Sequence, residues 1–298
     1  MKLINSSYEI VEPKSYSLED VYKHIELCGR VCYHSYDKIT PDSSTKFVDR
    51  MIKSGHTSVL EHGTIYLYRE FDSNKLAEQN YCGWTQIYVH DPYSIISMMY
   101  RTDGVYQAYV TTNYRVIIEN GLEDDLQYMV EQPMDHHERR YTVRFVYDRG
   151  VSHEFVRHRH FSFSQESTRY CNYSKDKFDG VSFIIPEWYS ESCRRLSDRD
   201  DLPDNFDKYL EIEKRVEIFE DYLKDCENVY LELLSKGCKP QDARAVLPNA
   251  TKTELIMTGF ASDWKHFFEL RDDSKAHPDA QKLAKPLHEE FINRKYID

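Results

Sequence analysis

Apolar residues recur at positions 18, 21, 22, 25, 28 and 32, one face of a helix over Leu18–Cys32, with Ser17 as its cap and Glu19 and Asp20 in the first turn. A second short helix is expected over Ser44–Ser54, stopped by Gly55. Thr64–Phe71 and Tyr141–Tyr147 are rich in β-branched and aromatic residues and read as strands. Between them, 72–138 is polar and Tyr/Asn-rich, with a strand pair expected near 105–118 and a short helix near 123–131. Its apolar content looks thin for a core of its own, so it reads as an insertion carried on the sheet of a single 1–298 domain.

Further along, Gly150 opens a short helix through Val151, Phe155 and Val156, and 173–204 reads as irregular and charged, with Pro186 and Pro203. A long helix is expected from Phe206 to Gly237, about 45 Å at ~1.5 Å per residue, enough to span a domain or an oligomer interface. Pro240 starts a short helix that Pro248 ends. Thr251 and Glu254 match a capping box for a helix towards Leu270, and a last helix over 278–293 is expected to be disturbed at Pro286. Helices flanking a small antiparallel sheet make the class α+β.

Composition narrows the function. A mean hydropathy of −0.70 and the lack of any run of ~18 apolar residues exclude an expected membrane span. The opening Met1–Ser6 lacks the apolar core of a signal peptide, which points to a cytoplasmic protein. Seven scattered cysteines without a CxxC pair argue for reduced thiols. A net charge of −12 disfavours extended contact with a nucleic-acid backbone but leaves room for a local basic pocket holding one small anion.

Such a pocket is suggested by Arg157–Tyr170, which gathers Arg157, Arg159 and Arg169 with Ser162, Ser164 and Ser167. Close arginines repel one another unless an anion, or carboxylates such as Glu154 and Glu166, lies between them. Guanidinium forks, hydroxyls and the Gln165 amide together suit a nucleotide; solvated arginines at a helix end are the alternative. His153, His158 and His160 do not share a helix face, and the arginines beside them would repel a dication, so no metal is expected. Ser167 lacks a base at any recognisable spacing. The Gly55–His62 block carries two histidines, two hydroxyls and a carboxylate, and reads either as a ligand loop or as a polar turn. Arg244 and Arg271 sit among apolar neighbours and need partners, whether ligand or salt bridge.

Arg157-His158-Arg159, seven residues and Ser167 resemble the RHR-x7-S signature of the flavin-dependent thymidylate synthases. Gly-His-x-Ser-x-x-Glu-His at 55–62, Ala-Arg-x-x-Leu-Pro at 243–248 and Leu-Arg at 270–271 resemble further blocks of that family in order, across 1–71 and 139–290. The resemblance implies methylation of dUMP to dTMP, with methylenetetrahydrofolate as carbon donor and FAD, reduced by NADPH, supplying hydride. It implies dUMP contacts at Glu154, Arg157, Gln165, Glu166, Ser167, Thr168, Arg169 (on phosphate), Arg244 and Arg271, with Arg271 and Ser167 at the reacting base. It implies FAD contacts at Ser58, Glu61, Arg157, His158, Arg159, Gln165 and His266, and His56 on the folate side. It also implies a homotetramer with sites built from several subunits, and no role for Cys171 as nucleophile. Two positions and one segment depart from the pattern of some members: Glu154 for glutamine, Ser164 for asparagine, and Phe260-Ala261-Ser262 for Asn-x-Arg. Two other functions fit the residues: a non-catalytic nucleotide-binding regulatory module and a metal-dependent nucleotide hydrolase using the histidines.

Overall fold

A computed structural model describes residues 1–197 and 206–298. The end of the segment read as irregular, 198–204 with Pro203, lies outside the described residues. The first half of the chain forms β1 (Lys2–Ile4), β2 (Ser7–Ile10), α1 (Leu18–Arg30), α2 (Ser43–Lys53), β3 (Thr64–Asp72), α3 (Tyr81–His90), β4 (Ile95–Arg101), β5 (Val105–Asn113) and α4 (Tyr114–Glu119). Then come β6 (Arg140–Asp148), α5 (Arg149–Phe155), β7 (Ser162–Gln165), β8 (Ser182–Ile184) and α6 (Glu187–Ser197). The last part holds α7 (Phe206–Ser235), α8 (Pro240–Ala243), β9 (Lys252–Phe260), α9 (Ala261–Arg271) and α10 (Pro278–Asn293). The class is α+β.

A four-stranded antiparallel sheet, ordered β2-β6-β9-β7, is covered by α5, α9 and α10 through Phe145, Tyr147, Phe155, Trp264, Phe267 and Phe291. A three-stranded antiparallel sheet, β3-β5-β4, packs on α1 and α2. β1 and β8 pair in parallel beside a third cluster in which Tyr173, Phe183, Leu223 and Tyr230 anchor α7.

The local readings of α1, α2, β3, β6, α5 and α7 agree with these elements, and the Ser17 hydroxyl accepts from the Asp20 N–H as expected of a cap. The helix expected from Thr251 is instead β9. Glu254 does not cap; its carboxylate is held by Lys252 and Arg144, and the Thr253–Phe260 run is buried between β6 and β7. The helix starts only at Ala261, where the Asp263 carboxylate accepts from the Phe260 N–H at 2.9 Å. A four-residue capping match counts for less here than a paired strand on each side.

Other differences are smaller. The strand expected to run to 118 ends at Asn113, whose side chain caps α4, and its hairpin partner β4 lies upstream. The helix near 123–131 is a 3-10 segment over Glu123–Tyr128. The irregular 173–204 contains β8 and α6, and α10 runs through Pro286 without interruption. Residues 72–138 do not sit on the β6 sheet. Trp84, Tyr88, Val110, Tyr114 and Ile117 join Ile25, Phe47, Leu60, Ile65 and Leu67 in one core, so a thin apolar content suffices when shared.

The two sheets meet along a buried polar seam. His62 bonds Thr258 through Nδ1 at 2.7 Å and Ser164 through Nε2 at 3.0 Å. Thr258 in turn bonds Thr142 at 2.8 Å, and Thr142 bonds His24 Nε2 at 3.0 Å. Arg140 donates to the Glu61 carbonyl at 3.1 Å and to the Thr64 hydroxyl at 3.2 Å. Burial, reinforced by the Arg140 guanidinium, lowers His24 to about 4; burial, His24 and Arg140 lower His62 to about 3. Both imidazoles are therefore neutral in the folded protein and titrate near 6.5 when unfolded.

The unfolded chain thus binds more protons below that value. The stability these histidines contribute is complete above pH 6.5 and is lost as pH falls towards 4, by about 1.4 kcal/mol per pH unit for each. Urea unfolding of wild type and His62→Asn across this range should show the shallower slope in the variant. Parallel slopes would exclude a neutral, buried His62.

Candidate functional site

Helix α5 is capped by Asp148, whose carboxylate accepts from the Val151 N–H at 2.9 Å. Val151 and Phe155 face the core, which leaves Glu154 half-buried at the surface and delivers His158 beneath the end of α9. There Arg271 makes three bonds: Nη1 to the Glu154 carboxylate at 2.7 Å, Nη2 to the Glu154 carbonyl at 2.9 Å, and Nε to His158 Nε2 at 3.0 Å. Since Arg271 Nε can only donate, His158 Nε2 accepts and its ring proton lies on Nδ1. Burial, then the Arg271 guanidinium, then His266, depress His158 to about 4, so it is neutral near pH 7. Its ring packs on Phe267 with centroids 5.0 Å apart, and it is only 7 % exposed. The carboxylate that stands for glutamine at 154 thus has its donor.

The residues around His158 behave differently. Arg157 and Arg159 are exposed, and neither guanidinium has a hydrogen-bond or ion-pair partner among the described residues. His266 is exposed beside Glu269, at 3.2 Å. Phe161 lies over Gly259, where an added Cβ would come within 2.6 Å of its ring, so β9 needs glycine at that point.

A second group forms where β7 runs into the following turn. Strand alternation buries Ser162, Ser164 and Glu166 and leaves Gln165 and Ser167 half-buried. Gln165 donates to the Thr253 hydroxyl at 3.3 Å. The Ser167 N–H donates to the Cys32 carbonyl at 3.1 Å, while the Ser167 hydroxyl accepts from the Arg169 N–H at 3.3 Å and keeps its own proton to donate. Arg244 donates to the Thr168 hydroxyl at 3.0 Å. Arg169 is exposed, over the Tyr170 ring at 5.2 Å, and Tyr170 lies 4.9 Å from the ring of Tyr33.

Next to Cys32 opens a cleft of about 620 Å³ whose lining includes Tyr33, Arg50, His56, Ser58 and Lys177. His56 and Ser58 were legible in the sequence; Tyr33, Arg50 and Lys177 were not, because only the folded approach of α2 and the 171–180 turn brings them there. The burial of Glu61 and Glu166 differs from that of open ligand contacts. Glu61 is bound by Arg115 at 2.5 Å, and Glu166, 2 % exposed, is bound by Lys252 and Tyr173. His34, Glu166 and Glu254 could geometrically gather a cation, but the Lys252 ammonium already rests on both carboxylates. The departing segment 260–262 lies at the β9–α9 junction, with the Ser262 N–H on Glu138 at 3.2 Å.

The bonds of the Glu154–His158–Arg271 group and those of the Ser167–Thr168–Arg244 group share no residue. The first holds the Arg271 guanidinium in a fixed orientation. The second offers free hydroxyl and guanidinium donors, a set for an anion such as phosphate.

Residues 93–294 match the model of a family described as thymidylate synthase complementing protein. The stretch takes in the 157–167 signature and both C-terminal blocks. A flavin-dependent thymidylate synthase of Corynebacterium glutamicum is 32% identical over 266 residues, covering 87% of this chain and 71% of its own length. That of Geobacter sulfurreducens is 34% identical over 136 residues, 46% of this chain; the match spans 49%, about half, of the relative's length. Among solved structures, a UMP/dUMP methylase PolB from Streptomyces cacaoi bound with 5-Br dUMP is 16% identical with a TM-score of 0.43, covering 98% of this chain and 93% of that one.

Replacing Arg271 with glutamine removes one of the charges that depress His158. The imidazole should then titrate on the order of one unit higher, followed by NMR of the ring protons. An unmoved titration would mean that the Arg271–His158 contact is absent in solution.

Proposed function

The chain belongs to the flavin-dependent thymidylate synthase family, and we propose that it converts dUMP to dTMP by reductive methylation, with methylenetetrahydrofolate as carbon donor, FAD as bound cofactor and NADPH as reductant. The observation that carries this reading is the Arg157–Arg169 segment itself. In a protein of net charge −12, it holds three exposed guanidiniums without a hydrogen-bond or ion-pair partner among the described residues, in register with Ser167. Arg157 and Arg159, with the exposed imidazole of His266, suit an anionic aromatic cofactor, so the donor set fits FAD. Bound FAD supplies the hydride chemistry that no side chain can.

The protein's own part is binding and electrostatics. Arg169 holds the dUMP phosphate, and the Ser167 hydroxyl donates to the nucleotide. Arg244 sets the Thr168 hydroxyl. Arg271, fixed by Glu154 and by a neutral His158, presents a positioned cation to the uracil, which favours the N3-deprotonated base and makes C5 more nucleophilic. Ser58 and Gln165 would complete the flavin side, with His56 towards the folate. The family resemblance implies a homotetramer with sites built from several subunits; on this reading the two groups, which share no hydrogen bond within one chain, meet across subunits. No helix among the described residues is long and apolar enough to cross a membrane, in keeping with a cytoplasmic enzyme.

Purified protein should be yellow and should release tritium from 5-³H-dUMP only when reductant is supplied. A colourless protein that takes up no FAD would exclude the assignment; tight dUMP binding without dTMP formation would reveal a nucleotide-binding module instead. Arg169→Ala should weaken dUMP binding by about 2 kcal/mol or more, the scale of a hydrogen bond to a charged group. An unchanged dissociation constant would remove Arg169 from the phosphate.

A further inference from the structure

We propose that Lys252 is a positioning residue for the nucleotide site, clamping Glu166 from inside and thereby fixing the backbone that presents Ser167, Thr168 and Arg169 to dUMP. The proposal rests on the reading of 165–169 as the nucleotide loop.

Lys252 stands at the start of β9 and donates to Glu166 at 2.7 Å and to Glu254 at 2.6 Å. Glu166 and Glu254 are 2 % and 3 % exposed, so neither carboxylate can fall back on water. Every remaining oxygen is also occupied. Tyr173 donates its hydroxyl to Glu166 at 2.8 Å; Arg144 and the Tyr36 hydroxyl donate to Glu254 at 2.7 and 3.2 Å. Two carboxylates, one ammonium and one guanidinium sum to zero charge. Burial on its own would lower the lysine, but the two carboxylates outweigh it and raise its pKa, so the ammonium persists.

The clamp acts on the loop because of where Glu166 lies. Its N–H donates to the Glu254 carbonyl at 2.9 Å, so β9 grips the residue by both backbone and side chain. The next residue is Ser167, tied to the Cys32 carbonyl, and the one after is Thr168, tied to Arg244. Removing the ammonium leaves two buried carboxylates facing each other, and Glu166 relieves that repulsion by taking up a proton or by moving outward, either of which ends its fixed grip on β9. An outward movement carries Ser167 off Cys32 and Thr168 off Arg244. The Lys252 ammonium is itself taken up by the two carboxylates, so its effect on the nucleotide runs through Glu166.

The test uses FAD-loaded enzyme and reads the dUMP dissociation constant from the flavin absorbance change. Lys252→Met should raise the constant about 30-fold or more, and Lys252→Arg should restore it to within about 5-fold of wild type. Flavin content should stay unchanged in both. Tyr173→Phe keeps the ring and removes one bond to Glu166, so it should weaken dUMP about 3- to 10-fold and decides the matter should Lys252→Met not fold. Wild-type affinity in folded Lys252→Met, or in Tyr173→Phe, would overturn the positioning role. A wild-type enzyme that loads FAD but binds no dUMP would overturn the nucleotide reading itself.

Discussion

Both ring nitrogens of His62 are committed, one to Thr258 in the four-stranded sheet and one to Ser164 in the strand beside it. His62 itself belongs to the 3-10 segment leading into β3, in the other sheet. This imidazole therefore fastens the two layers through side chains, together with the His24–Thr142 contact. Arg140, immediately after the crossing from the second layer, does the same from β6 by gripping the Glu61 carbonyl and Thr64. A polar seam of this kind is stable only while every member is bonded, because an orphaned buried donor or acceptor costs about 1–3 kcal/mol. The seam also fixes the height of β7, and β7 carries the chain from the Arg157 cluster to the Ser167 turn.

The strand that organises the remainder is β9. Its first residues hold Gln165, Glu166 and their neighbours; its middle supplies Thr258 to the seam; its end passes directly into α9, which places Arg271 over Glu154. One nine-residue element thus sets both groups of site residues.

Local pattern was enough for elements whose own residues decide their state. The α1 stripe with its Ser17 cap, the Gly55 stop, and the aromatic alternation of β3 and β6 are each complete within a short local stretch. β9 was illegible because Thr251-x-x-Glu254 matches a helix start, and Arg144, which claims Glu254 together with the nearby Lys252, lies 110 residues away. β1, β2 and β7 are three or four residues long, too short for a period to register. The site was legible as residue types but not as orientations. Nothing near Glu166 in the sequence says that it faces inward, since Lys252 is 86 positions distant. Likewise Glu154 looked like an uncompensated departure until Arg271, 117 positions on, proved to be its donor.

The division of the site residues into an Arg271 group and an Arg169 turn that share no hydrogen bond would, in the proposed oligomer, bear on inheritance as well as on chemistry. In an assembly where one chain's first group meets another chain's second, a chain damaged at Arg271 and a chain damaged at Arg169 are not equivalent losses. Mixed in one oligomer, they leave some sites carrying both lesions and others carrying none. Two null alleles of the same gene would then complement each other, and neither would be fully silent in the company of the other.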